Sequence, residues 1–227
     1  MAVVKADGYG HGAVRVARAA LEGGATWLAV ARAEEALALR AAGIDAPLLL
    51  LGHAPPAALG DLVAAGVSLT VWSVEQVAQL AAVRAGRTAG VHLKVDTGMS
   101  RLGTEPGAVV EVARAVRAAA YGGGGGPHVV LDGVFTHFAC ADDPVGEVTA
   151  AQVARFEEAL AALGAAGLRP PLVHAANSAA TLLGLPAGPG RAARPLGYDL
   201  VRFGIALYGL QPGPDVPMAG LRPALSW

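Results

Sequence analysis

The sequence holds a single cysteine, Cys140, so no disulfide can form within the chain, and a disulfide-stapled secreted scaffold is excluded. Charge is scarce and nearly balanced: a formal net charge of -1 leaves neither a basic stripe for nucleic acid nor an acidic tail. Long hydrophobic runs are also missing. Apolar residues reach 54%, but alanine supplies much of that share, and charges or glycines interrupt every run. Nothing approaches the roughly 20 apolar residues of a membrane span. Lys5 and Asp7 fall where the apolar core of a signal peptide would begin, so the expected location is the cytoplasm. No Gly-x-Gly-x-x-Gly turn follows the first β-rich run, which argues against a dinucleotide fold. No spacing of His, Cys, Asp or Glu suits a metal, so none is expected.

What is present is an alternation. Short β-rich runs are predicted at Ala2–Ala6, Trp27–Val30, Pro47–Leu51, Ser68–Val71, Val91–Val95, Leu131–Thr136, Leu172–Ala175 and Leu200–Phe203. Helical periodicity lies between them: Val14, Ala17 and Leu21 repeat on one face, as do Val153, Phe156, Leu160 and Leu163. Gly23-Gly24, Gly43 and Gly66 stand where such helices stop. Eight strands alternating with helices imply parallel pairing through right-handed crossovers. An open doubly wound sheet and a closed (β/α)8 barrel both satisfy that pattern, and eight similar units favour the barrel. A chain of 227 residues is adequate for one such domain. Tyr121–Gly126 reads as a flexible surface insertion. After the eighth strand no amphipathic helix is apparent and prolines accumulate, while the first strand starts almost at Met1; both ends read as cut.

Barrel enzymes carry their chemistry at the carboxyl ends of the strands. Unusual polar residues recur there: Lys5 after strand one, Lys94 and Asp96 at strand five, His137 after strand six, Asn177 and Ser178 after strand seven, Arg202 on strand eight. By strand alternation Val3, Lys5 and Asp7 would share a face. A lysine aimed into a barrel is costly unless paired or neutralised, and a neutral amine is what Schiff-base chemistry uses. Gly8, Gly10 and Gly12 would let backbone approach a ligand, with Tyr9 as a hydrogen-bonding handle. His92, Lys94 and Asp96 likewise share a face, followed by a turn that carries Arg101. That arginine either grips a carboxylate or pairs with Asp96 at the surface. Ser178 is either a helix cap or a phosphate ligand, and Gly204 offers amides nearby. His53, Trp72, His128, Asp142 and Asp143 are assigned no chemistry.

Five segments carry a family likeness: Ala2 to Gly12 (Ala-Val-Val-Lys-Ala-Asp-Gly-Tyr-Gly-His-Gly), Lys94 to Gly103, Thr136-His137-Phe138, His174 to Ser178, and Val201 to Gly209. In this order they resemble the signatures of alanine racemases. The resemblance implies a (β/α)8 TIM-type barrel over residues 1–210, lacking its N-terminal lead-in helix, with residues 211–227 starting a connection to an absent C-terminal β-domain. It implies pyridoxal 5′-phosphate as cofactor and Lys5 as the Schiff-base lysine and one of two bases. Tyr9, Asn177, Ser178, Gly204 and Ile205 would hold the phosphate end, and Arg202 the pyridine nitrogen, supported by His137. Arg101 would bind the substrate carboxylate and the cofactor phenolate. Lys94 matches a lysine that is carbamylated in several members. The implied reaction is interconversion of L- and D-alanine for peptidoglycan, in a cytoplasmic homodimer with no nucleic-acid or membrane partner.

The sequence departs from the family in extent. The second base is a tyrosine on the β-domain, acting across a dimer interface, and neither Tyr198 nor Tyr208 matches it. Low activity is therefore expected of this chain. Phe203 also stands where the family more often has proline. Two other readings are a stand-alone pyridoxal-phosphate carrier barrel and a racemase of another amino acid; the first-strand motif argues against the carrier.

Overall fold

The computed structural model describes residues 1–83, 86–120, 129–143, 146–184, 198–218 and 220–225. The surface insertion expected at 121–126 and His128 lie outside these residues. Seven parallel strands follow in sequence order: β1 (Ala2–Val3), β2 (Leu28–Val30), β3 (Leu48–Leu50), β4 (Ser68–Val71), β5 (Ala89–Lys94), β6 (Val129–Phe135) and β7 (Leu172–His174). The helices are α1 (Lys5–Tyr9), α2 (Ala13–Glu22), α3 (Ala33–Ala41), α4 (Leu59–Ala64), α5 (Val74–Ala81), α6 (Val109–Ala120), α7 (Glu147–Ala165) and α8 (Ser178–Leu182). None of the described helices is long and apolar enough to cross a membrane.

The eighth strand differs from expectation. Leu200–Phe203 forms no continuous strand; Leu200 bridges His174 and Phe203 bridges Ala2. These bridges still close the barrel. On one side Asp199 N and Arg202 N donate to Val173 O and Ala176 O, and on the other Val3 N donates to Phe203 O. The Asp199 carboxylate takes a ladder place by accepting from Val173 N at 2.8 Å, which interrupts regular pairing there. Among the described residues that follow, Ile205–Tyr208 forms a single 3-10 turn and no α-helix is present.

Alternation divides the core in two. Leu48, Leu50, Leu69, Val91, Leu93, Val134 and Val173 face outward and pack with the helices in one large apolar cluster. Val3, Ala29 and Leu49 form a smaller cluster with Met1 inside the barrel. The interior positions of the later strands are polar and buried: Thr70, His92, Lys94, His174, with Arg202 from the eighth segment. The barrel thus has an apolar interior wall from β1–β3 and a mainly polar one from the rest, where Phe135 is the buried exception. A bulge sharpens that wall. The β5–β6 register shifts so that Val91 pairs Leu131 while His92 pairs Gly133.

The first strand ends early. Beyond Val3 the chain enters α1, a turn that is not right-handed: Ala6, Asp7, Gly8 and Tyr9 have φ of 50°, 52°, 63° and 53°. Left-handed helical backbone costs roughly 1–2 kcal/mol per L-residue with a side chain. Lys5 and Asp7 therefore do not share a strand face. Lys5 reaches the barrel mouth because of the turn, and Asp7 turns outward to accept a hydrogen bond from Ala13 N at 2.8 Å, at the start of α2.

Candidate active site

A cavity of about 420 Å³ opens at the carboxyl ends of the strands. Lys5, Tyr9, Lys94, Arg101, His137, Asn177, Ser178, Arg202, Gly204 and Ile205 all line it, so every candidate residue from the sequence meets in one place. His53 and Trp72 lie elsewhere, ring to ring at 5.9 Å, with His53 hydrogen-bonded to Gln76. Asp142 is different: expected as a solvated loop residue, it borders the cavity. Sequence position alone could not show that the β6–α7 loop folds inward.

At one end Tyr9, Ser178 and Gly204 converge. A Cβ on Gly204 would lie 2.9 Å from the Tyr9 hydroxyl oxygen, so this approach needs glycine. Ser178 Oγ accepts from Gly204 N at 3.0 Å and lies 3.4 Å from Ala206 N. The helix cap of α8 is Asn177, whose side chain accepts from Ala180 N at 3.0 Å; that settles the cap on Asn177 and leaves Ser178 to the loop. Tyr9 stacks obliquely on Tyr208, centroids 4.8 Å apart, and Tyr208 donates to Val3 O at 3.0 Å. Burial raises both phenols above their ordinary range.

The opposite wall is cationic. Lys94 is 4% exposed, and burial together with Arg101 and Arg202 lowers its pKa to about 8, while Asp96 opposes the shift. Its ammonium lies 5.6 Å from the Phe135 ring centroid. Asp96 does not pair with Arg101. It accepts from Gly98 N and Ser100 N, each at 3.0 Å, and so shapes the turn that carries Arg101. Thr97 braces the same turn, hydrogen-bonded to Thr136 at 2.7 Å, to Gln152 at 3.2 Å and through its carbonyl to Arg155 at 2.9 Å.

Arg202 is the centre of the polar wall. Its guanidinium contacts His174 Nδ1 at 2.8 Å, Thr136 O at 2.7 Å, Ala175 O at 2.8 Å and His137 Nδ1 at 3.2 Å. All four partners are neutral acceptors. Burial lowers Arg202 to about 9, which still leaves it cationic at neutral pH. A guanidinium can only donate, so both imidazoles accept through Nδ1 and carry their hydrogen on Nε2. His174 Nε2–H then donates to His92 Nδ1 at 2.9 Å. His92 in turn must carry its hydrogen on Nε2, the one buried side-chain atom among the described residues without a partner. The Trp27 ring lies edge-on to His92, centroids 5.4 Å apart. Burial first, and Arg202 second, hold His92 near 4, His137 near 3 and His174 well below the usual histidine range.

His174 and His92 carry no role in the sequence reading, although both have a legible signal: a polar residue at an inward strand position. Phe135 is a third omission. It stacks on His174 at 4.7 Å and lies 5.2 Å from Arg202. The site is thus a positively lined pocket. One end is narrow enough to need glycine, and the other holds an arginine locked as a donor.

A family profile described as the alanine racemase N-terminal domain matches residues 1–212. The alanine racemase of Symbiobacterium thermophilum is 46% identical across the whole chain, which covers 57% of that protein. That of Thermobifida fusca is 47% identical, again across the whole chain and 58% of the relative. Among solved structures, alanine racemase from D-cycloserine-producing Streptomyces lavendulae superposes with a TM-score of 0.87 at 39% identity, over 98% of this chain and 56% of that one. The Streptomyces coelicolor A3(2) enzyme gives 0.86 at 41%, over 98% and 57%. The chain therefore spans a little over half the length of these relatives. A barrel of seven parallel strands bridged by an eighth segment, a cavity lined from the five signature segments and this degree of identity lead to one conclusion: the chain belongs to the alanine racemase N-terminal domain family.

Proposed function

We propose that this chain is the cofactor-binding barrel of an alanine racemase, which interconverts L- and D-alanine with pyridoxal 5′-phosphate for peptidoglycan. The observation that carries this reading is the charge of the cavity: among the described residues Lys5, Lys94, Arg101 and Arg202 line it with a single carboxylate, Asp142. Such a wall suits a phosphate dianion and an amino-acid carboxylate together. The phosphate end would be held by Tyr9, Ser178 and the Gly204 and Ile205 amides, with Asn177 fixing the start of α8. The close approach of the Tyr9 hydroxyl to Gly204 gives this end the shape such a group needs.

When bound, the cofactor supplies an electron sink for the pair left at Cα as the proton departs. The chain's own residues would do the rest. Lys5 anchors the cofactor through Nζ and moves a proton to or from one face of Cα. Arg101 orients the substrate carboxylate. Arg202, cationic at neutral pH, would face the pyridine nitrogen and so disfavour its protonation. That weakens the sink and favours return of the proton to Cα over other carbons. His137, neutral and accepting, steadies Arg202 rather than exchanging protons. Lys94, with its amine partly neutral near pH 8, would add to carbon dioxide with loss of a proton, giving a carbamate whose negative charge faces Arg101.

Racemisation needs a second base on the opposite face. Among the described residues Tyr9 is the one tyrosine that lines the cavity; Tyr208 donates to Val3 O and Tyr198 to Glu157. The second base would come from a tyrosine of a β-rich domain to which residues 211–227 connect the 1–210 barrel, contributed across a cytoplasmic homodimer. Relatives that carry the alanine racemase name support this reading over a carrier barrel. The test is the Lys5→Ala chain mixed with pyridoxal 5′-phosphate. After free cofactor is removed, the wild-type chain should keep an absorbance near the visible edge that the variant lacks, and an unchanged spectrum overturns the assignment of Lys5.

A further inference from the structure

We propose that Glu35 is the positioning residue that holds the Lys5 turn in its left-handed form and thereby aims the lysine into the cavity. Glu35 lies in the first turn of α3, far from Lys5 in sequence, and its carboxylate divides between two tasks. Oε2 reaches back over the helix start and accepts from Ala31 N at 2.8 Å and Arg32 N at 3.0 Å. This is the acidic half of a helix-capping arrangement, as Glu at this position commonly provides. Oε1 instead accepts from Ala6 N at 2.7 Å, the amide directly after Lys5.

That second bond lies where the backbone is most strained. Ala6 and Asp7, both with side chains, are left-handed, a conformation that costs residues carrying a Cβ. Within the turn, Gly8 N donates to Val4 O and Gly10 N to Ala6 O, which closes the turn but does not tie it to the barrel. Two carboxylates make the outside ties: Asp7 to Ala13 N at the far end, and Glu35 to Ala6 N beside the lysine. Glu35 comes from the first turn of α3, so it couples the Lys5 turn to the neighbouring unit of the barrel. The Arg32 guanidinium, 3.8 Å from Oε1 and largely exposed, adds little to this arrangement. This role rests on the assignment of Lys5 as the cofactor anchor.

Glu35→Gln separates the two tasks. Glutamine has one acceptor oxygen, and the two amides at the α3 start outnumber the single amide of Ala6, so the oxygen stays with the cap. The amide NH2 then faces Ala6 N–H, donor against donor. In the cofactor-free chain, hydrogen exchange in the Lys5–Gly12 segment should accelerate by about tenfold or more, as loss of a hydrogen bond to a charged group implies, while α3 exchanges as before. Trapping of pyridoxal 5′-phosphate on Lys5 by borohydride should fall in parallel. Wild-type exchange in Lys5–Gly12 of the variant overturns the proposal, as does acceleration spread equally through α3. If Glu35→Gln does not fold, Glu35→Asp, a shorter carboxylate that reaches the cap but not Ala6, is read against the same outcomes. Failure of wild-type chain to trap the cofactor on Lys5 would count against the anchor assignment, and the exchange comparison would still decide the role of Glu35 in the turn.

Discussion

His92 Nδ1 lies 2.9 Å from His174 Nε2, deep in the barrel, and the direction of that hydrogen bond is dictated from the cavity by Arg202. Because the guanidinium cannot accept, each imidazole behind it passes a donor onward, and the relay ends on His92 Nε2, which has no hydrogen-bond partner among the described residues. Nitrogen-15 NMR of the cofactor-free chain should show both rings neutral and protonated at Nε2 at pH 7. A protonated Nδ1 on His174 would mean that Arg202 is not its donor.

The same histidines set an acid limit on stability. A free histidine titrates near 6.5, whereas His92 in the fold titrates near 4 and His137 near 3. Between those values the unfolded chain binds more protons than the native one, so stability rises with pH in that window. It is fully present above about 6.5 and is lost as pH falls toward 4 and then 3, by about 1.4 kcal/mol per pKa unit for each group. Thermal melts from pH 7.5 to 4.5 should show this decline. His92→Leu should flatten it; a slope unchanged in that variant would place the acid sensitivity elsewhere.

Gly133 is required by the relay. A Cβ there would lie 2.3 Å from His92 Nδ1, too close for any retained geometry. Gly133→Ala should destabilise the chain by about 1–3 kcal/mol, as overpacked cores do. Urea denaturation measures this directly, and a neutral result would show that the β6 bulge relaxes freely.

Lys94 should react with carbon dioxide. With its amine near 8, the neutral fraction grows as pH rises from 7 to 9, and carbamate formation should grow with it. Carbon-13 NMR in bicarbonate should reveal a carbamate signal that Lys94→Ala lacks. Persistence of the signal in that variant would assign it to another lysine.

Racemase turnover by this chain should be low. In the proposed reading Lys5 would serve as the base on one face of Cα, and no second phenol among the described residues reaches the cavity. Incubation with L-alanine and pyridoxal 5′-phosphate, followed by chiral analysis, tests this. Turnover at the level of a complete racemase would show that one base suffices or that another group serves as the second.

Much of this molecule was legible in the sequence by itself. The alternation of β-rich and helical segments determined parallel pairing and favoured a barrel over an open sheet, because side-chain period is a local property that survives without knowledge of neighbours. The polar residues at strand ends located the site for the same reason: Lys5, Lys94, His137, Ser178 and Arg202 needed only their strand and its direction. Tertiary structure decided what depends on partners brought from afar. It replaced the eighth strand with two bridges, because the Asp199 side chain takes a backbone place. It turned Lys5 into the cavity through a left-handed turn rather than by alternation, a conformation tied down by the Glu35 carboxylate from α3 and by the turn's own Asp7 reaching the start of α2. It also fixed the polarity of the Arg202–His174–His92 relay. A hydrogen bond has a direction only once its donor and acceptor meet, and these three residues come from separate segments of the barrel.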